Sequence, residues 1–210
     1  MEELAFVGMD HQLQLIHPVT GVCRQLSYAL SPALRSDQQA CSWPVWSPGG
    51  DWIAYFQLND SKGVSICIVE REGIEVRVLD ELVDAIPIYM SWSPNGRRLA
   101  VLIQRVEMEV LVYDVDRLAQ PLQTLSGGPI FFTWSPHSDG LYFHLVQKSE
   151  KSSRFTYFSL DGNGEEQVIS HSLGAFCSPL HTGDGLVYIR SEGNACYIEH
   201  LRHRTMSSSL

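Results

Sequence analysis

Short apolar runs bounded by turn residues recur along the chain: Ile53 to Phe56, Leu99 to Ile103, Leu141 to Leu145 and Leu186 to Ile189. After a polar connection each is followed by a second run, at Val64 to Val69, Val110 to Val115, Phe155 to Leu160 and Cys196 to Leu201. Three of them continue to a third run, at Glu75 to Leu79, Leu122 to Leu125 and Gln167 to Ile169. Runs this short, rich in β-branched and aromatic residues, predict strands rather than helices. Only Asp80 to Ile86 is expected to form a helical turn.

A repeated motif sets these runs in register. Trp46, Ser47 and Pro48 open "WSPGGDWIAYF"; Trp92, Ser93 and Pro94 open "WSPNGRRLAVL"; Trp134, Ser135 and Pro136 open "WSPHSDGLYFH". The tryptophans are 46 and 42 residues apart, and a degenerate copy with Cys177, Ser178 and Pro179 follows 43 residues after the third. Self-similarity at this period is the mark of a repeat architecture in which each unit is a four-stranded meander. After each Ser-Pro come residues that tolerate positive φ, Gly49-Gly50 and Asn95-Gly96 among them, as tight strand connections require. The third copy reads as carrying an inserted residue before its turn glycine.

The opening residues fit the same unit without its first strand. Leu4 to Gly8 matches the second strand, Gln12 to Gly21 the third with its turn, and Val22 to Tyr28 the fourth. At the other end, Thr205 to Leu210 is a polar candidate for a last strand. The expected fold is therefore all-β: one domain over 1–210 of about five meander blades, at approximately 1–30, 43–82, 89–126, 130–171 and 174–210, the first and last incomplete.

Trp-Ser-Pro-x-Gly-x-x-Leu-Ala followed by an apolar strand and a turn resembles the TolB-type β-propeller repeat, and the likeness covers nearly the whole chain. The resemblance implies a propeller with the tryptophans on the innermost strands, filling the wedge between blades. Trp46, Trp92 and Trp134 are then structural, and each Ser-Pro ends its strand because proline donates no ladder hydrogen bond. The family usually has six or seven blades; here the C-terminal segment could supply the missing strand of a five-bladed ring, the array could stay open, or a second chain could complete it, and the polar Thr205 to Leu210 favours an open or shortened propeller. The family role also implies protein–protein contacts.

Composition narrows the function classes. With 44% hydrophobic and 19% charged residues the chain can bury a core, which excludes disorder as its main state. A formal charge of −9 opposes a nucleic-acid backbone, and Arg97-Arg98 and Arg202-His203-Arg204 are too short to reverse it. The N-terminus shows no positively charged signal sequence and no window long enough to span a membrane, so a cytoplasmic location is expected. The five cysteines are odd in number and scattered, which suits buried thiols in a reducing compartment.

Chemistry is sparse. No nucleophile elbow, phosphate loop or paired metal-ligand motif is present, so no catalytic residue, cofactor or metal is assigned. His200 and His203, three apart in a strand, face opposite sides. Asp114, Asp116, Asp139 and Asp184 read as turn caps. The remaining positional clue lies three residues before each motif tryptophan, at Trp43, Tyr89 and Phe131, which the repeat places near one mouth of a central channel as an aromatic collar. The expected function is a non-catalytic scaffold that binds a protein or peptide at that mouth or along blade edges. Two alternatives stay open: a propeller hydrolase, lyase or accessory propeller of a peptidase, and a structural unit that self-associates by pairing blade edges.

Overall fold

The structure is a computed structural model that describes residues 3–27, 39–59, 63–117, 120–147, 152–161, 166–172, 179–182 and 185–202. Every regular element in it is a strand. In chain order these are β1 (Leu4–Val7), β2 (Leu13–Ile16), β3 (Cys23–Gln25), β4 (Gln39–Trp46), β5 (Trp52–Asn59), β6 (Gly63–Glu70), β7 (Val76–Val83), β8 (Ile86–Trp92) and β9 (Arg98–Gln104). They continue with β10 (Met108–Asp114), β11 (Gln123–Gly127), β12 (Ile130–Trp134), β13 (Gly140–Gln147), β14 (Ser152–Ser159), β15 (Glu166–Ser172), β16 (Leu180–Thr182), β17 (Gly185–Glu192) and β18 (Ala195–Arg202).

Among the described residues these strands form five sheets, each running through consecutive strands. Three have four strands, β4 to β7, β8 to β11 and β12 to β15; two have three, β1 to β3 and β16 to β18. The expectation of an all-β fold of about five meanders with incomplete first and last units is met. By contacts the chain divides into two compact units, Met1–Leu125 and Ser126–Leu210. No helix among the described residues is long and apolar enough to cross a membrane.

Three details differ from the sequence reading. Asp80 to Val83 is not a helical turn but the end of β7, held in register by Ser65 opposite Glu81 and Val64 opposite Leu82 on β6. Strand pairing along a buried neighbour overrides the weak local preference. The third motif has no insertion: Trp134 pairs with Leu141 just as Trp46 pairs with Ile53 and Trp92 with Leu99, seven residues on in each case. Ser138 takes the glycine's place at φ 63°, matching Gly50 at 78° and Gly96 at 71°. Of the cysteines, Cys41 and Cys67 are buried as expected, but Cys23 and Cys196 are exposed. Cys177, Ser178 and the last strand at Thr205 to Leu210 lie outside the described residues; Pro179 is described and buried.

In the first unit two apolar clusters hold the sheets together. One joins Leu13 and Leu15 of β2 to Ile53, Tyr55, Cys67 and Val69 of β5 and β6. The other joins Phe56, Ile66 and Leu79 to Trp92, Leu99, Val101 and Tyr113. The central strands β6 and β9 are buried along almost their whole length, which explains their unbroken apolar runs. Tyr113 donates its hydroxyl to Asp80 Oδ2 at 2.8 Å, so the ring is buried with its polar end satisfied. In the second unit Phe132, Trp134, Leu141, Phe143, Phe155 and Phe158 are buried, and Phe155 stacks on Tyr188 with ring centroids 4.6 Å apart.

The serines of the motif cap the connection that follows each tryptophan. Ser47 Oγ accepts the Trp52 N–H at 3.0 Å, and Ser93 Oγ accepts that of Arg98 at 2.9 Å. In the third copy Ser135 Oγ accepts from His137 N–H at 3.2 Å and donates to the Asp139 carboxylate. All three serines are buried, which identifies them as turn residues rather than nucleophiles.

Candidate functional site

The inner strands β4 and β8 each carry a β-bulge at nearly the same place. In β4 the pairing with β5 jumps from Ser42–Phe56 to Val45–Ala54, leaving Trp43 and Pro44 opposite a single residue. In β8 it jumps from Pro87–Ile103 to Tyr89–Leu102, leaving Ile88 extra. Strand β12 pairs with β13 without a shift. A bulge bends its strand and re-aims a side chain.

At the β4 bulge Trp43 takes φ 54°, the left-handed region. A non-glycine residue there is strained by roughly 1 to 2 kcal/mol. Despite its size, Trp43 is 52% exposed. Beside it lies an open depression of about 780 Å³, lined by Trp43 and Ser42 of β4, Leu58 of β5, and Ile86, Pro87 and Ile88 of β8 with the preceding Asp84-Ala85 turn. Ile86 is itself exposed, and Asp84 also has positive φ, 53°. A strained, exposed indole and a left-handed turn at Asp84 therefore frame one apolar groove in the first unit. Such a surface can hold an apolar or aromatic side chain, and it carries no acid–base pair that could do chemistry.

The other residues expected to form an aromatic collar are half-buried. Tyr89 follows Ile88 on β8 and is not among the residues lining the groove. Phe131 is on β12 in the second unit. Sequence spacing pointed to Trp43; it did not reveal Ile86, Pro87 and Ile88, for which the available signal was only an apolar run at a strand start.

Elsewhere the titratable groups are explained by packing. His144 Nε2 lies 3.0 Å from Ser153 Oγ, both buried, and burial lowers the imidazole pKa. Both side chains are closed to solvent, at 3% and 1% exposure, so the pair is placed as part of the packed interior. Burial pushes the Cys67 thiol up to about 12 and raises that of Cys41, which leaves both protonated and unreactive. A second hollow of about 300 Å³ in the second unit, lined by His137, Asp139, Tyr142 and Tyr157 among others, has its Asp139 carboxylate engaged by Ser135. Burial, with Asp139 beside it, raises the Tyr157 pKa. Asp114 Oδ1 accepts the Asp116 N–H at 3.1 Å, a turn cap as expected. No group of three or more potential metal ligands occurs among the described residues; Asp184 and His203 lie outside them.

No protein-family model and no curated protein matches the sequence. Solved structures do match in three dimensions. The chain superimposes on the Dos1 propeller with a TM-score of 0.63 and 13% identity, over 84% of this chain and 44% of that one. An acylaminoacyl peptidase from Pyrococcus horikoshii gives 0.63 and 13% over 95% of this chain and 37% of the peptidase. The β-propeller domain of the Trilobed protease from Pyrococcus furiosus, described as having an open velcro topology, gives 0.61 and 13% over 98% of this chain and 67% of that one. The chain spans less than half the length of the first two. At this level of identity the likeness is one of architecture, and the chain has the β-propeller fold, built of four-stranded meander blades of which the first and last have three strands among the described residues.

Proposed function

We propose that this β-propeller is a non-catalytic binding module that captures a protein or peptide by seating an apolar or aromatic side chain against Trp43. The carrying observation is the indole itself: it is half exposed, held at positive φ by a bulge, and set over an apolar groove. A strained, exposed aromatic anchor next to a concave apolar surface is the composition of a binding hot spot. The TolB-like character of the Trp-Ser-Pro repeats supports a protein partner, and the net charge of −9 weighs against nucleic acid. The aromatic collar expected from the repeat spacing enters this reading through Tyr89 of the neighbouring blade in the same unit.

The test is to pan a displayed random-peptide library against the immobilised full chain and repeat it with Trp43→Asn, since asparagine tolerates the left-handed backbone. Enrichment of apolar and aromatic peptides that bind the native chain and not the variant supports the reading. Absence of enrichment, or equal binding to Trp43→Asn, overturns it.

A further inference from the structure

The motif tryptophans do more than fill the wedge between blades, because one of them also makes a bond across it. Trp92 Nε1 donates to the carbonyl of Val45 at 3.0 Å, from inner strand β8 to the preceding inner strand β4. Trp46 is the same residue one repeat earlier. Its Nε1 is shielded from solvent and has no hydrogen-bond partner. Trp46 is also only half-buried, whereas Trp92 and Trp134 are 6% and 5% exposed. Shielding an N–H from water without an acceptor is costly and rare.

The sheet that Trp46 faces begins, among the described residues, with β1. By strand order and turn spacing β1 is a second strand, and the inner position has no described occupant. The backbone of β1 is prepared to pair there. Gly8 N–H donates to the Gln12 carbonyl at 2.9 Å, and β1 pairs antiparallel with β2 from Leu4–Ile16 to Val7–Leu13. Antiparallel ladders alternate, so Leu4, Phe6 and Gly8 turn their backbone groups to β2 while Ala5 and Val7 turn theirs to the opposite edge, where no described strand pairs. Ala5 and Val7 nevertheless pack their side chains against the cluster containing Leu13, Ile53 and Tyr55, as does Trp46. The edge is thereby fixed in an extended, pairing-competent geometry. Charge also anchors its start: Glu3 pairs with Arg24 at 3.1 Å and with Arg71 at 3.0 Å.

We propose that the edge of β1 that no described strand pairs is a strand-addition site which takes an extended apolar segment of another protein. That segment pairs antiparallel with Ala5 and Val7 and presents a backbone carbonyl to Trp46 Nε1. The chain's own inner strands show what fits. β8 and β12, seven and five residues long, are apolar or aromatic at most positions. Val45 shows that a main-chain oxygen, not a particular side chain, satisfies the indole. Recognition is therefore by backbone and alternating apolar pockets. This site is separate from the Trp43 groove.

The probe is a synthetic peptide of residues 130 to 136, IFFTWSP, added unlabelled to the isotopically labelled full chain, with the indole N–H resonances followed by NMR. The expected result is saturable one-to-one binding that moves the Trp46 indole resonance downfield and leaves that of Trp92 in place. Val7→Pro removes an edge donor without removing a bond to β2, and weakens binding about tenfold. Trp43→Asn leaves it unchanged, so failure here and failure of the Trp43 groove are distinguishable. No shift, or the same shift with a scrambled peptide, overturns the proposal. It is also overturned if the Trp46 resonance is already shifted in concentrated protein and reverts on dilution, which would assign the edge to a second copy of this chain.

Discussion

Ser93 Oγ accepts the backbone N–H of Arg98 at 2.9 Å and donates to Asn95 Oδ1 at 2.8 Å, so one buried hydroxyl ties both sides of the turn that leaves β8. Ser47 accepts from Trp52 in the same way one blade earlier. The recurrence explains why serine follows the motif tryptophan: its short side chain reaches into the turn, to the backbone five residues ahead in Ser47 and Ser93 and two ahead in Ser135. Ser93→Ala leaves the Arg98 N–H and the Asn95 carbonyl without that partner and is expected to cost about 1 to 2 kcal/mol. Urea unfolding of the variant checks it, and an unchanged midpoint would show that the hydroxyl is dispensable.

The two clearly different indole environments make a paired prediction. Trp92→Phe deletes the donor to Val45 and is expected to destabilise by about 2 kcal/mol, from the lost bond and the lost volume. Trp46→Phe removes an N–H that has no acceptor, so its cost is expected to be about half of that or less. Equal losses in denaturant melts of the two variants would remove the distinction between the residues.

Strain at Trp43 sets stability against binding. Trp43→Asn keeps the positive φ at lower steric cost and gives up a side chain that is already half exposed. Stability is expected to be unchanged or to rise by up to about 1 kcal/mol while peptide capture is lost. Thermal unfolding measures the first quantity, and a marked fall in Tm would show that Trp43 serves packing.

Acid should weaken the fold through His144. Burial lowers its folded pKa below the ordinary value of 6.5, so the unfolded chain binds the proton more readily than the native one. Stability from this group is then fully present above pH about 6.5 and declines as pH falls through that value towards the lowered folded pKa. Glu3 acts lower on the scale: the guanidiniums of Arg24 and Arg71 hold its carboxyl below 4.5, and its contribution is lost as pH falls further. His144→Gln is expected to flatten the stability profile between pH 7 and 5. A slope identical to that of the native chain would exclude His144 as its source.

The chain's own order of residues determined much of this structure. Trp46, Trp92 and Trp134 fixed the register of three blades because each marks the same packing problem at the end of an inner strand, and period-two strands bounded by Ser-Pro and glycine turns admit few alternatives. Tertiary structure decided what local pattern leaves open. Asp80 to Val83 became strand because β6 lies beside it. Ser138 took a left-handed turn position that glycine holds elsewhere, because the strand pairing of Trp134 with Leu141 fixed the length of the connection. Two residues with the same motif role, Trp46 and Trp92, differ in burial and in whether a neighbouring strand brings a carbonyl to the indole. Spacing places a side chain on a strand; whether it is buried, strained, exposed or left without a partner depends on the strands that pack against it, and those come from distant parts of the chain.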